Sequence, residues 1–373
     1  MQHTVLKEWL VCLRHQQPCV LVTVVETGGS SPQKAGAHLL VRSDGSFVGT
    51  LGGGCVEGDL WYRARRLLAE GGPAYTVQHT LNAQLAAQDG MVCGGTMRFL
   101  LEPFPSPYLS PQMVQQLEKA LEGDSPITMA TVIDGGKKNV PVGMKWIIGV
   151  DGTVLGEETF PMPDKSVIGR AIQLAPYGEN QLVNKEEGGR IFLEGLTAPV
   201  TLILLGGGHV NKAIASLARH LDFRIVVVDD RPEFASQERF PEADEILVAP
   251  YDQALRQWKV PQNAFIIAAT RGHRYDDQAV QAAIATPARY IGVLGSKRKI
   301  IMILRHLLED GVSPSRLANV YAPVGLDIGA LTPEEIAISV LAEIIMIRRG
   351  GEGKPMRLPP AELQKTRRSP SSK

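Results

Sequence analysis

Short apolar runs alternate with stretches of helical periodicity in the second half of the chain. The runs are PVTLILL (199–205), RIVVVDD (224–230), AFIIAAT (264–270), RYIGVLG (289–295) and ANVYAP (318–323). Continuous apolar strands separated by helices are typical of a parallel sheet that helices cover on both faces. We therefore predict an α/β fold whose C-terminal part, residues 196–348, is a Rossmann-like, doubly wound parallel sheet.

The first half of the chain carries a repeated pattern instead. GAHLLVRSDGSFVG (36–49) matches GMKWIIGVDGTVLG (143–156) at an offset of 143 − 36 = 107 residues. In each copy Asp-Gly separates two apolar runs, which predicts a β-hairpin. We predict an α+β N-terminal domain over residues 1–195 with this internal hairpin repeat. The alternative is that the two hairpins are similar only by chance, because the pattern is a common one. Only the first copy continues into a glycine cluster, so a site in this domain is expected there.

Composition narrows the possible functions. The 373 residues include 39 basic and 39 acidic side chains, a formal net charge of 39 − 39 = 0, which argues against nucleic-acid binding. The most apolar late stretch, residues 336–347, is too short to span a bilayer. The four cysteines form no C-x-x-C pair, which excludes a tetrathiolate zinc site. We expect a cytoplasmic, thiol-reduced protein with no membrane partner and a disordered polar tail over residues 349–373.

The segment LILLGGGHVNKAIA (202–215) combines a strand, a glycine turn and a helix, as dinucleotide-binding turns do. Gly206 permits the tight turn, and Gly208 lets backbone amides approach a pyrophosphate at the helix N-terminus. Asn211 replaces the third glycine, so we expect a different packing of helix and strand there. Asp229 ends the next strand, where a carboxylate would accept ribose hydroxyls. The alternative is a domain that kept this fold and lost the ligand.

Other loops of this domain add candidates. In GSKRK (295–299) Ser296 is expected to cap a helix whose first turn is basic, an arrangement that a bound anion would stabilise; a solvated basic turn is the alternative. Arg271 and His273 lie at the expected carboxyl edge of the sheet and are candidates for substrate contact or plain surface residues. The candidate nucleotide-binding residues of this domain are Gly206, Gly207, Gly208, His209, Asp229, Asp230, Arg231 and Ser296.

Three loops of small residues mark the N-terminal domain: ETGGSSPQKAGAH (26–38), GTLGGGCVEG (49–58) and DGMVCGG (89–95). Cys55 is expected near a helix N-terminus, where the dipole lowers the pKa of a thiol. Cys93 is flanked by glycines. A shared pocket for an anionic, sulfur-reactive ligand would use both thiols, whereas the alternative is that both are small core residues. The candidates are Ser30, Ser31, Gly52, Gly53, Gly54, Cys55, Glu57, Cys93, Gly94 and Gly95, with Cys55 and Cys93 as the catalytic or metal-ligating pair.

Together these segments resemble the XdhC/CoxI family of accessory factors for xanthine dehydrogenase and related molybdenum hydroxylases. The matching segments run from about residue 28 to about residue 344 and include GSSPQKAGA, GTLGGGCVE, GMVCGG, LGGGHV, VVVDDRPEFA, RFPEAD, IGVLGSKRK and PVGLDIGALTPEEIAISVLAEI. Their combination is far more specific than the dinucleotide-binding turn alone. Asn211 departs from the family, which usually has glycine after GGGHV.

The resemblance implies a molybdenum cofactor chaperone of purine catabolism rather than a stand-alone enzyme. Such proteins bind molybdopterin and assist the replacement of a molybdenum oxo ligand by sulfur, with a cysteine desulfurase as the sulfur source. They then insert the cofactor into a xanthine dehydrogenase-type hydroxylase. For this chain the resemblance implies Cys55 and Cys93 near the molybdenum, as ligands or sulfur relays. It also implies a nucleotide in the second domain, either part of a dinucleotide form of the cofactor or NAD(P), and a homodimer.

Two other functions stay open on the sequence alone. The second domain would suit an NAD(P)-dependent oxidoreductase, although no Tyr-x-x-x-Lys proton relay accompanies it. It would also suit a nucleotide-sensing regulatory protein without turnover. Serine-hydrolase, zincin and P-loop functions lose their support, because the chain has no G-x-S-x-G, H-E-x-x-H or Walker A segment.

Overall fold

The computed structural model describes residues 2–80, 95–156, 162–185, 188–317 and 320–357. The chain forms two compact units. The first comprises Met1–Val200 with Pro261–Asn263, and the second Thr201–Val260 with Ala264–Lys373. The functional division into residues 1–195, 196–348 and a tail stays a prediction. Residues 350–357 have no regular secondary structure, and the rest of the predicted tail lies outside the described residues.

The first unit contains two antiparallel sheets of five strands each, in the orders β3-β2-β1-β5-β4 and β8-β7-β6-β10-β9. The strands of the first sheet are β1 (Cys19–Gly29), β2 (His38–Arg42), β3 (Phe47–Gly49), β4 (Tyr75–Thr80) and β5 (Gly95–Phe104). Those of the second are β6 (Ile127–Asp134), β7 (Lys145–Gly149), β8 (Val154–Gly156), β9 (Asn180–Asn184) and β10 (Arg190–Leu196). The described helices are α1 (Gln2–Arg14), α2 (Gly54–Glu70), α3 (Pro111–Glu122) and α4 (Lys165–Leu174).

The two sheets are copies of one topology. The hairpins β2–β3 and β7–β8 lie at the predicted offset, since 145 − 38 = 107 and 154 − 47 = 107, so the predicted hairpin repeat is confirmed. The duplication extends further than the sequence pattern indicates. In both copies the hairpin follows a long strand, and a helix and two more strands come after it. We call residues 19–104 the first repeat and residues 127–196 the second repeat.

Alternating side chains along β1 divide the core of this unit into layers. Val20, Val22 and Val24 pack against Leu60 and Ala64 of α2. The opposite face of the first sheet packs on the second sheet through a cluster of four fully buried residues, Val25, Leu100, Ile133 and Phe192. The second sheet is covered in turn by α4. Period-two burial of this kind is what an antiparallel sheet between a helix and another sheet requires.

Two polar pairs cross between the repeats inside this core. His38 Nε2 lies 2.6 Å from Glu194 Oε1, and Lys145 Nζ lies 2.5 Å from Glu102 Oε1. All four residues are less than a tenth exposed. His38 and Lys145 are equivalent by the hairpin offset, and Glu102 and Glu194 face equivalent positions of β1 and β6. Each repeat therefore supplies one basic and one acidic side chain to the other.

The second unit is built on a six-stranded, fully parallel sheet of order β13-β12-β11-β14-β15-β16. Its strands are β11 (Thr201–Leu205), β12 (Arg224–Asp229), β13 (Glu245–Val248), β14 (Phe265–Ala268), β15 (Tyr290–Val293) and β16 (Val320–Tyr321). Counted from β11, this is the strand order 3-2-1-4-5-6 of dinucleotide-binding folds, and the predicted doubly wound sheet is confirmed. The sequence pattern missed β13, a four-residue edge strand whose side chains are only half-buried.

Helices connect these strands. They are α5 (His209–Ala218), α6 (Tyr251–Gln257), α7 (His273–Ile284), α8 (Lys297–Glu309), α9 (Pro314–Leu317) and α10 (Pro333–Arg349). A capping box begins α10, with Thr332 and Glu335 bonded to each other's backbone amides. Among the described helices, none combines the length and apolar character that crossing a bilayer requires.

The cross-repeat pairs predict a large stability effect. In Glu102→Gln the buried ammonium of Lys145 loses its counter-charge, and we expect a loss of about 3–5 kcal/mol in the free energy of unfolding. Urea denaturation followed by circular dichroism measures it. Glu70→Gln, which breaks an exposed pair with Arg66 at the end of α2, is the matched control and should change little. Equal effects of the two substitutions would contradict a structural role for the buried pair.

Candidate functional site

Three consecutive glycines shape the entry to α2. Gly52, Gly53 and Gly54 have φ angles of 110°, 74° and 68°, a region that residues with side chains rarely adopt. The helix begins at Gly54, and Cys55 is its second residue. The side chain of Cys55 is exposed. The thiol thus lies in the first helical turn, as the sequence predicts.

The carboxylate of Glu57 holds this glycine loop. Its Oε2 accepts hydrogen bonds from the Thr50 hydroxyl at 2.8 Å, from the Leu51 amide at 2.8 Å and from the Gly53 amide at 3.3 Å. The sequence predicts Glu57 as a ligand-binding residue of the pocket, and that contact stays a prediction. In the structure Glu57 ties the loop to the first turn, and the signal for this role is a carboxylate four residues after a glycine that precedes a helix.

The glycine loop meets the loop that follows β1. A Cβ atom added to Gly52 would lie 2.7 Å from the side chain of Pro32, and one added to Gly95 would lie 2.5 Å from Ser30 O and 2.6 Å from Gly28 O. Glycine at these two positions therefore permits close approach of the loops. The structure brings together the loop after β1, the entry to α2 and the start of β5, which the sequence analysis assigns to one pocket.

The described thiols differ sharply in exposure. Cys12 and Cys19 are buried in the core, and burial together with the neighbouring Cys12 raises the pKa of the Cys19 thiol far above its usual range. Of the cysteines in the described ranges, Cys55 alone is exposed. Cys93 and Gly94 lie outside the described residues. No group of three or more His, Cys, Asp or Glu suited to a metal ion is found among the residues that the structure describes.

In the second unit the glycine turn connects β11 to α5. Gly206 has a φ of 103°, and an added Cβ would lie 2.4 Å from Ala269 O; at Gly207 it would lie 2.0 Å from Phe234 O. Gly208 is the N-cap of α5 and has no atom closer than 4.0 Å to such a Cβ. The first amides of α5 have no partner within the helix, and the open side of Gly208 leaves room for an anion beside them.

Asp229 holds this turn from inside. It is fully buried, and its carboxylate accepts hydrogen bonds from the Gly207 amide at 2.7 Å and from the amide and guanidinium of Arg231 at 2.9–3.1 Å. Burial raises the pKa of this carboxyl, but the hydrogen bonds from Arg231 and Gly207 outweigh it and hold the pKa below its ordinary value. Both oxygens of Asp229 are therefore engaged within the protein, while its predicted contact with a ribose stays a prediction.

The neighbouring Asp230 is less fully engaged. Its Oδ2 accepts a hydrogen bond from Arg271 at 2.8 Å, whereas its buried Oδ1 has no hydrogen-bond partner in the part of the chain described. Arg271 also lies over the ring of Tyr275, 4.2 Å from its centre. From the sequence, Arg271 is a candidate for substrate contact or a plain surface residue. In the structure its guanidinium donates to Asp230 and positions that carboxylate. The side chain of His273 lies outside the described residues.

Several of the remaining candidates have structural partners. The buried amide of Asn211 donates to Leu205 O at 3.0 Å and to Gly206 O at 2.7 Å, so it bonds the start of α5 to the end of β11 where most such folds have glycine. Ser296 caps α8 by accepting a hydrogen bond from the Lys299 amide, as predicted. His209 and Ser296 are both exposed. The structure shows contacts for Arg231 and Ser31 as well, with Asp229 and Gln33 O respectively.

Comparison with protein families gives two matches along the chain. A model of the XdhC and CoxI family matches residues 12–80, which include the loop after β1 and the entry to α2. A model of the XdhC Rossmann domain matches residues 202–344, the parallel sheet with its glycine turn.

Three curated proteins are similar to the chain. YqeB of Escherichia coli is 32% identical over 256 residues, which are 65% of this chain but 47% of YqeB, so the chain spans about half of that relative. A probable xanthine dehydrogenase subunit of Bacillus subtilis is 28% identical and aligns over 90% of this chain and 95% of its own. The molybdenum cofactor insertion chaperone PaoD of Escherichia coli is 23% identical, with 92% and 88% covered.

One solved structure matches nearly the whole chain. It is a crystal structure described as a xanthine dehydrogenase from Bacillus halodurans, with a TM-score of 0.69 and 28% sequence identity. The match covers 97% of this chain and 99% of that one.

The hydrogen bonds of Glu57 predict how the glycine loop behaves when they are lost. In Glu57→Gln the amides of Leu51 and Gly53 lose a charged acceptor, which favours such bonds by about 1.5–3 kcal/mol. We expect their deuterium exchange to accelerate at least tenfold. Exchange monitored by mass spectrometry on the peptide around residues 50–54 measures this. Glu70→Gln, at the far end of the same helix, is the control, and unchanged exchange in Glu57→Gln would refute the role of Glu57.

Proposed function

The chain belongs to the XdhC and CoxI family, and on that basis we propose that it is an accessory factor that binds the molybdenum cofactor and delivers it to a molybdenum hydroxylase. The client would be of the xanthine dehydrogenase type. We propose further that the chain supports sulfuration of the cofactor, with a cysteine desulfurase as the sulfur source. The name of PaoD supports a role in cofactor insertion, and the name of the Bacillus subtilis relative supports a connection with xanthine dehydrogenase.

The convergence of the glycine loops around an exposed thiol carries this proposal. Molybdopterin is a bulky anion with a sulfur-bound metal, so its site needs room, hydrogen-bond donors and a group that can contact molybdenum. A Cβ added to Gly53 would meet no atom within 4 Å, which leaves open space beside the first turn of α2. The positive end of that helix favours an anion there. These features fit the cofactor as cargo.

In this proposal different residues of the first repeat contact different parts of the cofactor. Cys55 would contact the molybdenum end, as a ligand or as the sulfur relay, together with Cys93. Gly52, Gly53 and Gly54 would let the anionic groups approach the backbone closely, and Glu57 would fix their loop by accepting hydrogen bonds from the Leu51 and Gly53 amides. The flanking loops supply the other proposed contacts, from Ser30, Ser31, Gly94 and Gly95.

Cofactor content tests this assignment. Purified protein is mixed with molybdopterin cofactor, free ligand is removed, and molybdenum and pterin are assayed. We expect near-stoichiometric binding by the wild type and at least a fivefold loss of molybdenum in Cys55→Ser, because the exposed thiol is removed without a change of size. The contribution of Cys93 to molybdenum binding is measured with Cys93→Ser and with the variant that carries both substitutions.

Cys12→Ala, which removes a thiol that is buried away from these loops, is the control. It should keep its molybdenum and activate an apo-hydroxylase as the wild type does. If the double variant binds the cofactor and activates the hydroxylase normally, neither thiol has the proposed role.

The second unit supports nucleotide binding as an additional property. The strand order and the open side of Gly208 at the start of α5 favour a pyrophosphate beside the turn. Asp230 Oδ1, which accepts no hydrogen bond and lies 3.9 Å from Arg231 Nε, would accept one from a ribose hydroxyl. The nucleotide would be NAD(P) or the nucleotide half of a dinucleotide cofactor. In either case Asp229 and Arg231 would act by holding the turn. Homodimerisation and a cytoplasmic location stay predictions.

The variant Asp230→Asn tests whether Asp230, rather than the neighbouring Asp229, contacts the nucleotide. It should weaken binding of NAD, NADP or cytidine diphosphate about tenfold, the equivalent of about 1.4 kcal/mol, because a charged acceptor becomes a neutral one. Isothermal titration calorimetry with each nucleotide measures this. Asp252→Asn on α6 should leave affinity unchanged. Turnover of NAD(P) with a small substrate, in the absence of any hydroxylase, would favour the oxidoreductase alternative over this proposal.

A further inference from the structure

The last helix of the second unit, α10, carries an apolar stripe on its outer side. Its inner side packs against α5 and includes the buried Val340 and Ile344. On the outer side Ile338 is 52% exposed, and Ile345 is exposed as well. These two isoleucines are seven residues apart, a spacing that places them on one face of a helix, two turns apart. The contacts of α10 within its own unit thus leave this stripe in solvent.

The stripe has a small residue near its centre and charges of opposite sign at its ends. Ala342 lies between the two isoleucines, and the exposed Glu334 and Arg349 extend the same face by one turn at each end. The preceding Arg348 lies over the ring of Phe223, 4.8 Å from its centre. Arg349 is therefore the basic group at the outer end of the helix.

These residues are placed symmetrically about the midpoint between residues 341 and 342. Both isoleucines are three positions from it, since 341 − 338 = 3 and 345 − 342 = 3, and both charges are seven, since 341 − 334 = 7 and 349 − 342 = 7. When two copies of α10 lie antiparallel about a two-fold axis at this midpoint, Ile338 of each copy lies opposite Ile345 of the other. In the same register Glu334 lies opposite Arg349. One isologous contact thus matches both the apolar and the charged side chains.

A second exposed apolar stripe, on α8, lacks this complementarity. It contains Ile301, which is also 52% exposed, and Leu308. The exposed Arg305 lies at the centre of this stripe, so a two-fold axis there would bring Arg305 of one copy against Arg305 of the other. Like charges that face each other oppose association. The charge pattern therefore favours α10 over α8 for contact with a second copy of the chain.

We propose that α10 pairs antiparallel with α10 of a second copy of this chain, and that this helix pair is the centre of a homodimer interface. The small Ala342 near the axis lets the two helices approach closely. The 17-residue helix is about 25 Å long, and the exposed Ile328 and Leu331 enlarge the apolar surface before its start.

The size of this contact sets the expected affinity. One helix pair with its flanking loops buries less surface than a standard interface, so we expect a reversible dimer with a dissociation constant in the micromolar range. The interface goes beyond the proposed delivery of the cofactor, and it stands whether or not the chain binds molybdenum.

Sedimentation equilibrium of the full chain tests the stripe. We expect the wild type to dimerise and Ile338→Asp, which places a carboxylate against the Ile345 side chain of the other copy, to dimerise about a hundredfold more weakly. Because Ile338 is half exposed, this substitution leaves the core intact, and an unchanged melting temperature verifies that. Ile301→Asp on α8, at a residue of equal exposure, is the matched control and should dimerise as the wild type does.

Charge reversal tests the antiparallel register. Glu334→Arg places two basic groups opposite each other at both ends of the helix pair, and Arg349→Glu places two acidic groups there. Each single variant should dimerise about fivefold more weakly, and the variant with both substitutions should regain most of the affinity. Helix stability cannot produce this recovery, because both substitutions oppose the helix dipole and their costs add.

Three results would overturn the proposal. They are a wild type that stays monomeric up to about 100 μM, dimerisation of Ile338→Asp with wild-type affinity, and a double charge variant as weak as the single ones. A monomeric wild type whose Ile338→Asp variant loses binding to an apo-hydroxylase would also overturn it, and would assign the stripe to the client instead.

Discussion

Buried polar contacts between the two repeats hold the first unit together. Removing His38, Glu194, Lys145 and Glu102 from water costs free energy, which their contacts with each other help to offset. Because each pair joins one repeat to the other, neither five-stranded sheet satisfies its own core side chains alone. Thr23 lies 3.1 Å from His38 Nδ1 and Thr131 accepts from Lys145 at 2.9 Å, so each basic side chain is also held within its own sheet.

The two copies of the fold carry different residues at the entry to their helices. The first repeat has three glycines with positive φ, an exposed thiol and the carboxylate of Glu57 wrapped in backbone amides. The second repeat has Met162 and Asp164 at the equivalent positions and keeps an open cavity with an apolar floor. Three glycines shape the entry to the helix in one copy, whereas side chains line a cavity in the other. One scaffold thus gives two helix entries of different composition.

Local sequence patterns predict a large part of this protein. Asp-Gly hairpins, apolar parallel strands, the capping box at Thr332 and the position of Cys55 at a helix start all follow from residues close together in the chain. The full duplication cannot be read from such patterns. Strands β4 and β5 of the first repeat pair as β9 and β10 of the second do, but the residue types of the corresponding strands differ. The inward role of Asp229 also escapes a sequence pattern, since its partner Gly207 becomes a neighbour only through the sheet. Edge strand β13 escapes because it is short and half-buried.

Binding of the molybdenum cofactor by the loops of the first repeat is the proposal on which the assigned function rests. Hydrogen–deuterium exchange of the full chain with and without the cofactor tests it most directly, because this measurement locates the contact without altering any residue. We expect slower exchange on binding in the peptides covering residues 28–36 and 50–57, and no change in those covering α3. Tight binding of the cofactor with unchanged exchange in both of those loops would place the site elsewhere and contradict the proposal.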